Sequence, residues 1–229
     1  MTGMESPGNA ARAVDRFYTR WAGAYDLLAS AAPGIGAVRK RAVGALALDP
    51  GETVVEMGCG TGANLPYLRA AVGPSGTVIG VDLAGGALTR ARSRVDRSGW
   101  GNVDLLRGDA TRPPLPEADA VLATFVVGMF DEPGRAVDRW CDLLAPGGRI
   151  ALLNARRSRH PAAAPANLAF RGVVRLGAPG KRLARGSPAR DLERSVGTAQ
   201  ETLRARCGEF RQAPLAGGFL TLASGRIRE

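Results

Sequence analysis

Glu56, Gly58, Gly60 and Gly62 fall at every second position in the run VVEMGCGTGANLPYL, residues 54–68. The β-branched residues ahead of Glu56 read as a buried strand, and the stretch after Gly62 reads as the start of a helix. Three glycines between a strand and a helix make a tight turn. Its backbone can approach a ligand closely, and the first turn of the helix offers N–H groups. A carboxylate two residues before the first glycine adds a second requirement. The ligand should carry a cationic or donor-rich group, not only phosphates.

Three further positions have the same character. Asp82 ends TVIGVDL, about 20 residues past the turn, where a carboxylate can take both hydroxyls of a ribose. Asp109 follows the next candidate strand in LLRGDATRPPLP, and Thr124 and Phe125 close ADAVLATF. All of them sit at the carboxyl ends of strands, the edge at which open α/β sheets bind ligands. Dinucleotide folds use G-x-G-x-x-G at such a turn. Here the spacing is G-x-G-x-G with an acid two residues before it, which disfavours a nicotinamide-dependent oxidoreductase.

The elements that must position these residues alternate. Residues 10–31 and 34–48 read as amphipathic helices, the first stopped by Pro33-Gly34 and the second by Asp49-Pro50-Gly51. Strands are expected at 53–57, 77–81, 103–106, 119–124 and 149–154. Helices are expected at 63–72, 85–97 and 133–145. Such alternation predicts a parallel sheet with helices on both faces. Residues 188–206 read as a further helix, followed by two short strands, the last at 218–224, which makes the final strand antiparallel to its neighbour. The reading is one domain: an N-terminal helical cap at 1–50, a ligand-binding core at 51–155, a basic insert at 156–190, and a final helix and hairpin at 191–229. A chain of 229 residues buries roughly 70–75% of its unfolded surface, enough for one full core.

With VVEMGCGTG, VIGVDL, GDA, ADAVLATF and LLAPGGRIALLN in this order, the chain resembles the class I S-adenosylmethionine-dependent methyltransferases, closest in look to the quinone and phospholipid types. The resemblance implies a Rossmann-like α/β three-layer sandwich. Its seven-stranded sheet would be mostly parallel with an antiparallel last strand, under an N-terminal helical cap. It also implies roles. Glu56 would face the methionine ammonium of the donor, directly or through water. Gly58, Gly60 and Gly62 would pack against its methionine and ribose parts, with Cys59 and Asn64 in the same binding set. Asp82 would hold the ribose hydroxyls and Leu83 would flank the adenine. Asp109 would accept from the adenine amino group, with the Ala110 N–H facing the ring. Thr124 and Phe125 would lie near the methyl group. Cys59 reads as a small filler of the turn, since no base or cation stands beside it in sequence.

Methyl transfer from a sulfonium needs positioning and a dry pocket more than covalent help. The candidate catalytic residues are therefore positioning groups: Tyr25 and Tyr18 in FYTRWAGAYDLL, and His160, the single histidine, just after the fifth strand.

The net charge of +10 is concentrated in one segment. Residues 156–190 hold nine Arg and Lys and no Asp or Glu, which leaves the remainder near neutral. In NLAFRGVVRLGAPGKRLARGSP, the cations Arg171, Arg175 and Arg182 share one side of a helical projection. That arrangement suits a solvated lid or contact with an anionic membrane surface. Phe170 is the only aromatic residue in the run, which argues against a base-stacking platform for nucleic acid. ATFVVGMF also lacks the Asn/Asp-Pro-Pro-aromatic tetrapeptide of enzymes that methylate nucleobase amines. The expected acceptor is a small molecule or a lipid, such as a phospholipid headgroup or a quinone-like ring. A nucleic-acid-directed enzyme or a nucleic-acid-binding module is the alternative. Cys59, Cys141 and Cys207 are widely spaced and form no metal pair, and no apolar run approaches the ~20 residues of a membrane span. The expected setting is cytoplasmic, with any membrane contact peripheral at the inner face.

Overall fold

A computed structural model describes residues 34–158, 160, 163, 167, 168 and 188–228. Its sheet has seven strands: β1 (Thr53–Met57), β2 (Thr77–Asp82), β3 (Val103–Arg107), β4 (Ala118–Thr124), β5 (Leu144–Ala155), β6 (Cys207–Leu215) and β7 (Leu220–Ile227). They lie in the order β3-β2-β1-β4-β5-β7-β6. The first five strands are mutually parallel, and β7 runs antiparallel to both of its neighbours, β5 and β6. The helices are α1 (Ile35–Gly44), α2 (Leu65–Val72), α3 (Gly85–Ser98), α4 (Pro133–Asp142) and α5 (Pro188–Arg206).

Two apolar layers cover the sheet, because successive side chains of a strand point to opposite faces. On one face Trp140 and Val137 of α4 and Val196, Ala199 and Leu203 of α5 pack over Val55, Met57, Val121, Ile150 and Leu152. On the other, Leu46 beyond α1, Leu65 and Leu68 of α2, and Ala91 and Val95 of α3 pack over Val54, Val78, Leu122 and Leu153. Glu56 alternates with Val55 and Met57, so it points to the α1 and α2 side. This parity decides its surroundings.

Several boundaries differ from the periodicity. The helix expected to run to residue 145 ends at Asp142, and β5 starts at Leu144 rather than 149. Pro146-Gly147-Gly148 is an irregularity inside the strand, not a break before it. The pairing steps from Ala118–Leu144 to Ala120–Arg149 across it. The last strand runs over 220–227 rather than 218–224, because Ala216–Gly218 form a short 3₁₀ turn ahead of it.

Several expectations lie outside the described residues: the helix at 10–31 with Tyr18 and Tyr25, and the basic run with Arg171, Arg175 and Arg182. Among the described residues no helix is long and apolar enough to cross a membrane.

Candidate functional site

The glycine turn is held by β2. The N–H groups of Gly58 and Cys59 donate to the Val81 carbonyl at 2.8 and 3.0 Å. Gly60 N–H donates to Asp82 Oδ2 at 2.8 Å. These amides lock the turn to the neighbouring strand. What the turn presents is close-packed backbone. Gly58 has φ +69, and a Cβ there would meet Val126 Cγ2 at 2.5 Å. Gly60 has φ +55, and a Cβ there would meet nothing, so its missing side chain leaves open cavity.

That cavity, about 530 Å³, runs along the carboxyl ends of β3, β2, β1 and β4. Three inter-strand steps of about 4.8 Å make it roughly 14 Å long. At the β3 end it is lined by Asp109 and Ala110, at β2 by Asp82, Leu83 and Ala84, and at β1 by Gly58, Cys59 and Gly60. Its β4 end holds Asn64, Thr124, Phe125 and Arg39, with Val126, Met129 and Phe130 as an apolar wall.

Each carboxylate is fixed before any ligand arrives. Asp82 accepts from Gly60 N through Oδ2 and from Ala84 N through Oδ1, both at 2.8 Å. Asp109 Oδ1 accepts from the Thr111 N–H and hydroxyl, each at 2.8 Å, and the residue stays exposed. The Ala110 carbonyl takes a 2.7 Å hydrogen bond from the indole of Trp140, which is fully buried and edge-on to Phe130. Trp140→Phe keeps most of the packing but leaves that carbonyl without its partner. A loss of about 1–3 kcal/mol in stability is expected by denaturant titration.

Beneath the β4 end lies a polar chain. Arg39 donates to Asn64 Oδ1 at 2.9 Å, and Asn64 Nδ2 donates to Glu56 Oε1 at 2.5 Å and to Thr124 Oγ1 at 2.9 Å. Arg39 can only donate, so the amide atom facing it must be the oxygen. Glu56, expected to face the ligand, does not line the cavity. It is 1% exposed and lies behind Asn64, on the face that strand parity dictates. Its Oε2 is buried without a hydrogen-bond partner. Burial pushes its carboxyl up to about 8. The Asn64 hydrogen bond and the Arg39 charge oppose that rise, and the Asp82 charge adds to it.

Of three other expected site residues, Cys59 lines the cavity and Gly62 and His160 do not. Gly62 is not in the wall; it turns the chain against Leu65 and Ala91. Cys59 packs on Gly80, where an added Cβ would meet its sulfur at 2.9 Å. Burial, then the Glu56 and Asp82 charges, raises the Cys59 thiol well above its usual range, which removes it as a nucleophile. His160 is exposed and does not line the cavity.

Arg39 was missed by the motif reading. Its signal was its position with Ala42, Val43 and Leu46 at i, i+3, i+4 and i+7, on the stripe that α1 buries. An arginine on an apolar stripe needs a polar partner at depth.

A family model described as a methyltransferase domain matches residues 54–148. The phosphatidylethanolamine N-methyltransferase of Cereibacter sphaeroides is 34% identical over 148 residues, 62% of this chain and 68% of that protein. The demethylmenaquinone methyltransferase of Desulfitobacterium hafniense is 30% identical over 200 residues, 82% of this chain and 78% of that one. The chain spans half or less of the length of the first curated relatives it matches. Among solved structures, the N-methyltransferase NodS from Bradyrhizobium japonicum, in complex with S-adenosylhomocysteine, shares the fold. Its TM-score is 0.59 at 17% identity, over 86% of this chain and 89% of that one. By its sequence relatives, and with the fold to match, the chain belongs to the S-adenosylmethionine-dependent methyltransferases.

Proposed function

We propose that this protein transfers a methyl group from S-adenosylmethionine to a small-molecule or lipid acceptor, with a phospholipid headgroup or a quinone-like ring as the favoured classes. The observation that carries the donor half is the order of groups along one cavity. Asp109 and Ala110 stand at one end, Asp82 in the middle, and Asn64, Thr124 and Arg39 at the other. That order matches adenine, ribose and amino acid. The donor fits the residues present. Asp82 is already oriented by two backbone amides, and Gly60 leaves room where a side chain would stand. When bound, S-adenosylmethionine supplies an activated methyl on a sulfonium.

The chain's own contribution is positional. Asp82 and Asp109 fix the adenosine end, and the turn at Gly58–Gly60 sets the depth. Val126, Met129 and Phe130 keep water from one wall. A dry, in-line arrangement supplies most of the acceleration available to a displacement on an activated methyl.

The acceptor class is favoured by relatives that act on a phospholipid amine and on menaquinone precursors, as their names state. Other relatives carry the names arsenite methyltransferase and aklanonic acid methyltransferase, so chemistry alone separates the classes. The test is transfer of labelled methyl into a fractionated cell extract. Label in the lipid or quinone fraction is the expected result. Label confined to RNA or protein would overturn the acceptor reading.

A further inference from the structure

We propose that a second cavity, outside the donor site, binds a phosphate-bearing ligand. It lies between α5 and the side of the sheet formed by β5, β7 and β6, and its volume is about 940 Å³. Arg156, Arg157, Glu193, Gln200, Gln212 and Thr221 line it, and none of them lines the donor cavity. A smaller cavity of about 400 Å³ adjoins it. The two share Arg156, Gln212 and Thr221, and the smaller adds Arg204 and Phe210.

The charges on this wall do not cancel. Glu193 is the only carboxylate among the described residues that line either cavity. It is spent on Arg157 in a two-point fork, Nε to Oε1 and Nη2 to Oε2, each at 2.7 Å. The Arg156 charge reaches Glu193 only at longer range, and its guanidinium forms no ion pair among the described residues. Arg204 lies over the Phe210 ring at 4.4 Å and has no carboxylate partner among those residues. Two cations are left facing the space.

The floor of the cavity is short of acceptors. Thr221 is 1% exposed, and its Oγ1 accepts from Gln200 Nε2 at 3.3 Å and from Gln212 Nε2 at 3.4 Å. A hydroxyl oxygen has two lone pairs, so Thr221 can accept nothing more. Its partner across the ladder is Asn154. Both side chains stand on the α5 face, Asn154 in step with Ile150 and Leu152, and Thr221 with Ala223. Asn154 is also 1% exposed, and its Nδ2 has no hydrogen-bond partner. A buried amide left open costs stability. Oxygens entering the cavity would draw the two glutamine amides onto themselves and free Thr221 to accept from Asn154.

These demands select the ligand. Donors converge from three directions: Arg156 just past β5, Gln200 and Arg204 on α5, and Gln212 on β6. A carboxylate offers its acceptors in one plane. A phosphate offers them in several directions and carries the charge that guanidinium groups match. A soluble phosphate ester and a phospholipid headgroup present this same group.

The experiment follows the side-chain amide NMR signals of Asn154, Gln200 and Gln212 in nitrogen-15-labelled protein while sodium phosphate replaces sodium chloride at constant ionic strength and neutral pH. Saturable shifts of all three are expected. Arg156→Gln and Arg204→Gln are each expected to weaken phosphate binding by roughly three- to tenfold. Both side chains reach solvent, so neither change threatens the fold. Arg92→Gln removes the same charge from an exposed position on α3, across the sheet, and is expected to change nothing. Cosedimentation with phosphatidylglycerol vesicles identifies the source. Weaker pelleting of the Arg156 and Arg204 variants alone assigns a lipid headgroup, and equal pelleting of all four proteins assigns a soluble ester; either upholds the site. Absence of saturable shifts, or an equal loss in Arg92→Gln, would overturn it. No donor is present in the titration, so its outcome is independent of the donor reading.

Discussion

Replacing Asp82 with alanine is expected to lower affinity for S-adenosylhomocysteine by roughly 10² to 10⁴-fold, from two lost hydrogen bonds to a charged group at about 1.5–3 kcal/mol each. The size of the effect follows from how the carboxylate is held. Each oxygen already accepts a backbone N–H at 2.8 Å, from Gly60 and from Ala84, which fixes its plane at the cavity wall. Two ribose hydroxyls then meet a group that needs no reordering. The same substitution releases the Gly60 amide, so the turn loosens as well as losing its ligand contact. Asp82→Asn separates the two effects. It retains an acceptor for one amide but not the charge, and should fall between wild type and alanine. Calorimetric titration reads the affinity, and a thermal melt of the unliganded protein reports the turn. An affinity within threefold of wild type would sink the ribose assignment.

Glu56→Gln is expected to flatten the fall of stability with pH. The carboxyl stands at about 8 in the folded chain, against an ordinary value of 4.5. Between those values the folded state holds a proton that the unfolded state has released. Stability from this group is therefore complete below about pH 4.5 and is lost as pH rises toward 8. The loss is on the order of a few kcal/mol, since each unit is worth about 1.4 kcal/mol. Glutamine keeps the oxygen that accepts from Asn64 and cannot ionise. The variant should thus melt close to wild type near pH 5 and above it near pH 8. Parallel melting curves for the two proteins from pH 5 to 8.5 would refute this account. A cation seated near Asn64 favours the ionised carboxyl, so saturating S-adenosylhomocysteine should reduce the slope in wild type but not in the variant.

The strand-end acids were legible because their signal is local. Asp82 directly follows the apolar run of its strand and Asp109 stands two residues past the end of β3, and the sheet's parallel topology brings both positions to one edge. The parallel sheet and the reversed β7 also followed from alternation and the terminal hairpin. Three things were not legible, for different physical reasons. The depth of Glu56 depends on strand parity combined with the position of Asn64 eight residues later, and only three-dimensional packing sets one in front of the other. Arg39 belongs to a helix with no motif, and its importance comes from where α1 docks. The bulged start of β5 was hidden because Pro146-Gly147-Gly148 has the composition of a terminator, while the ladder with β4 resumes on either side of it.

The placement of β7 also governs the order in which the sheet can be made. Among the described residues β6 pairs with nothing but β7, and β7 lies between β6 and β5. During synthesis the β6 segment therefore leaves the ribosome before its partner β7 exists, while β5 waits with an open edge. Until residues 220–227 emerge, two strands expose unpaired backbone, the condition under which chains associate edge to edge. A nonsense change or a clip anywhere between Leu215 and Leu220 would remove one strand, strand a second and uncover a third. Fusions that delay release of this segment are the ones that should suffer in soluble yield.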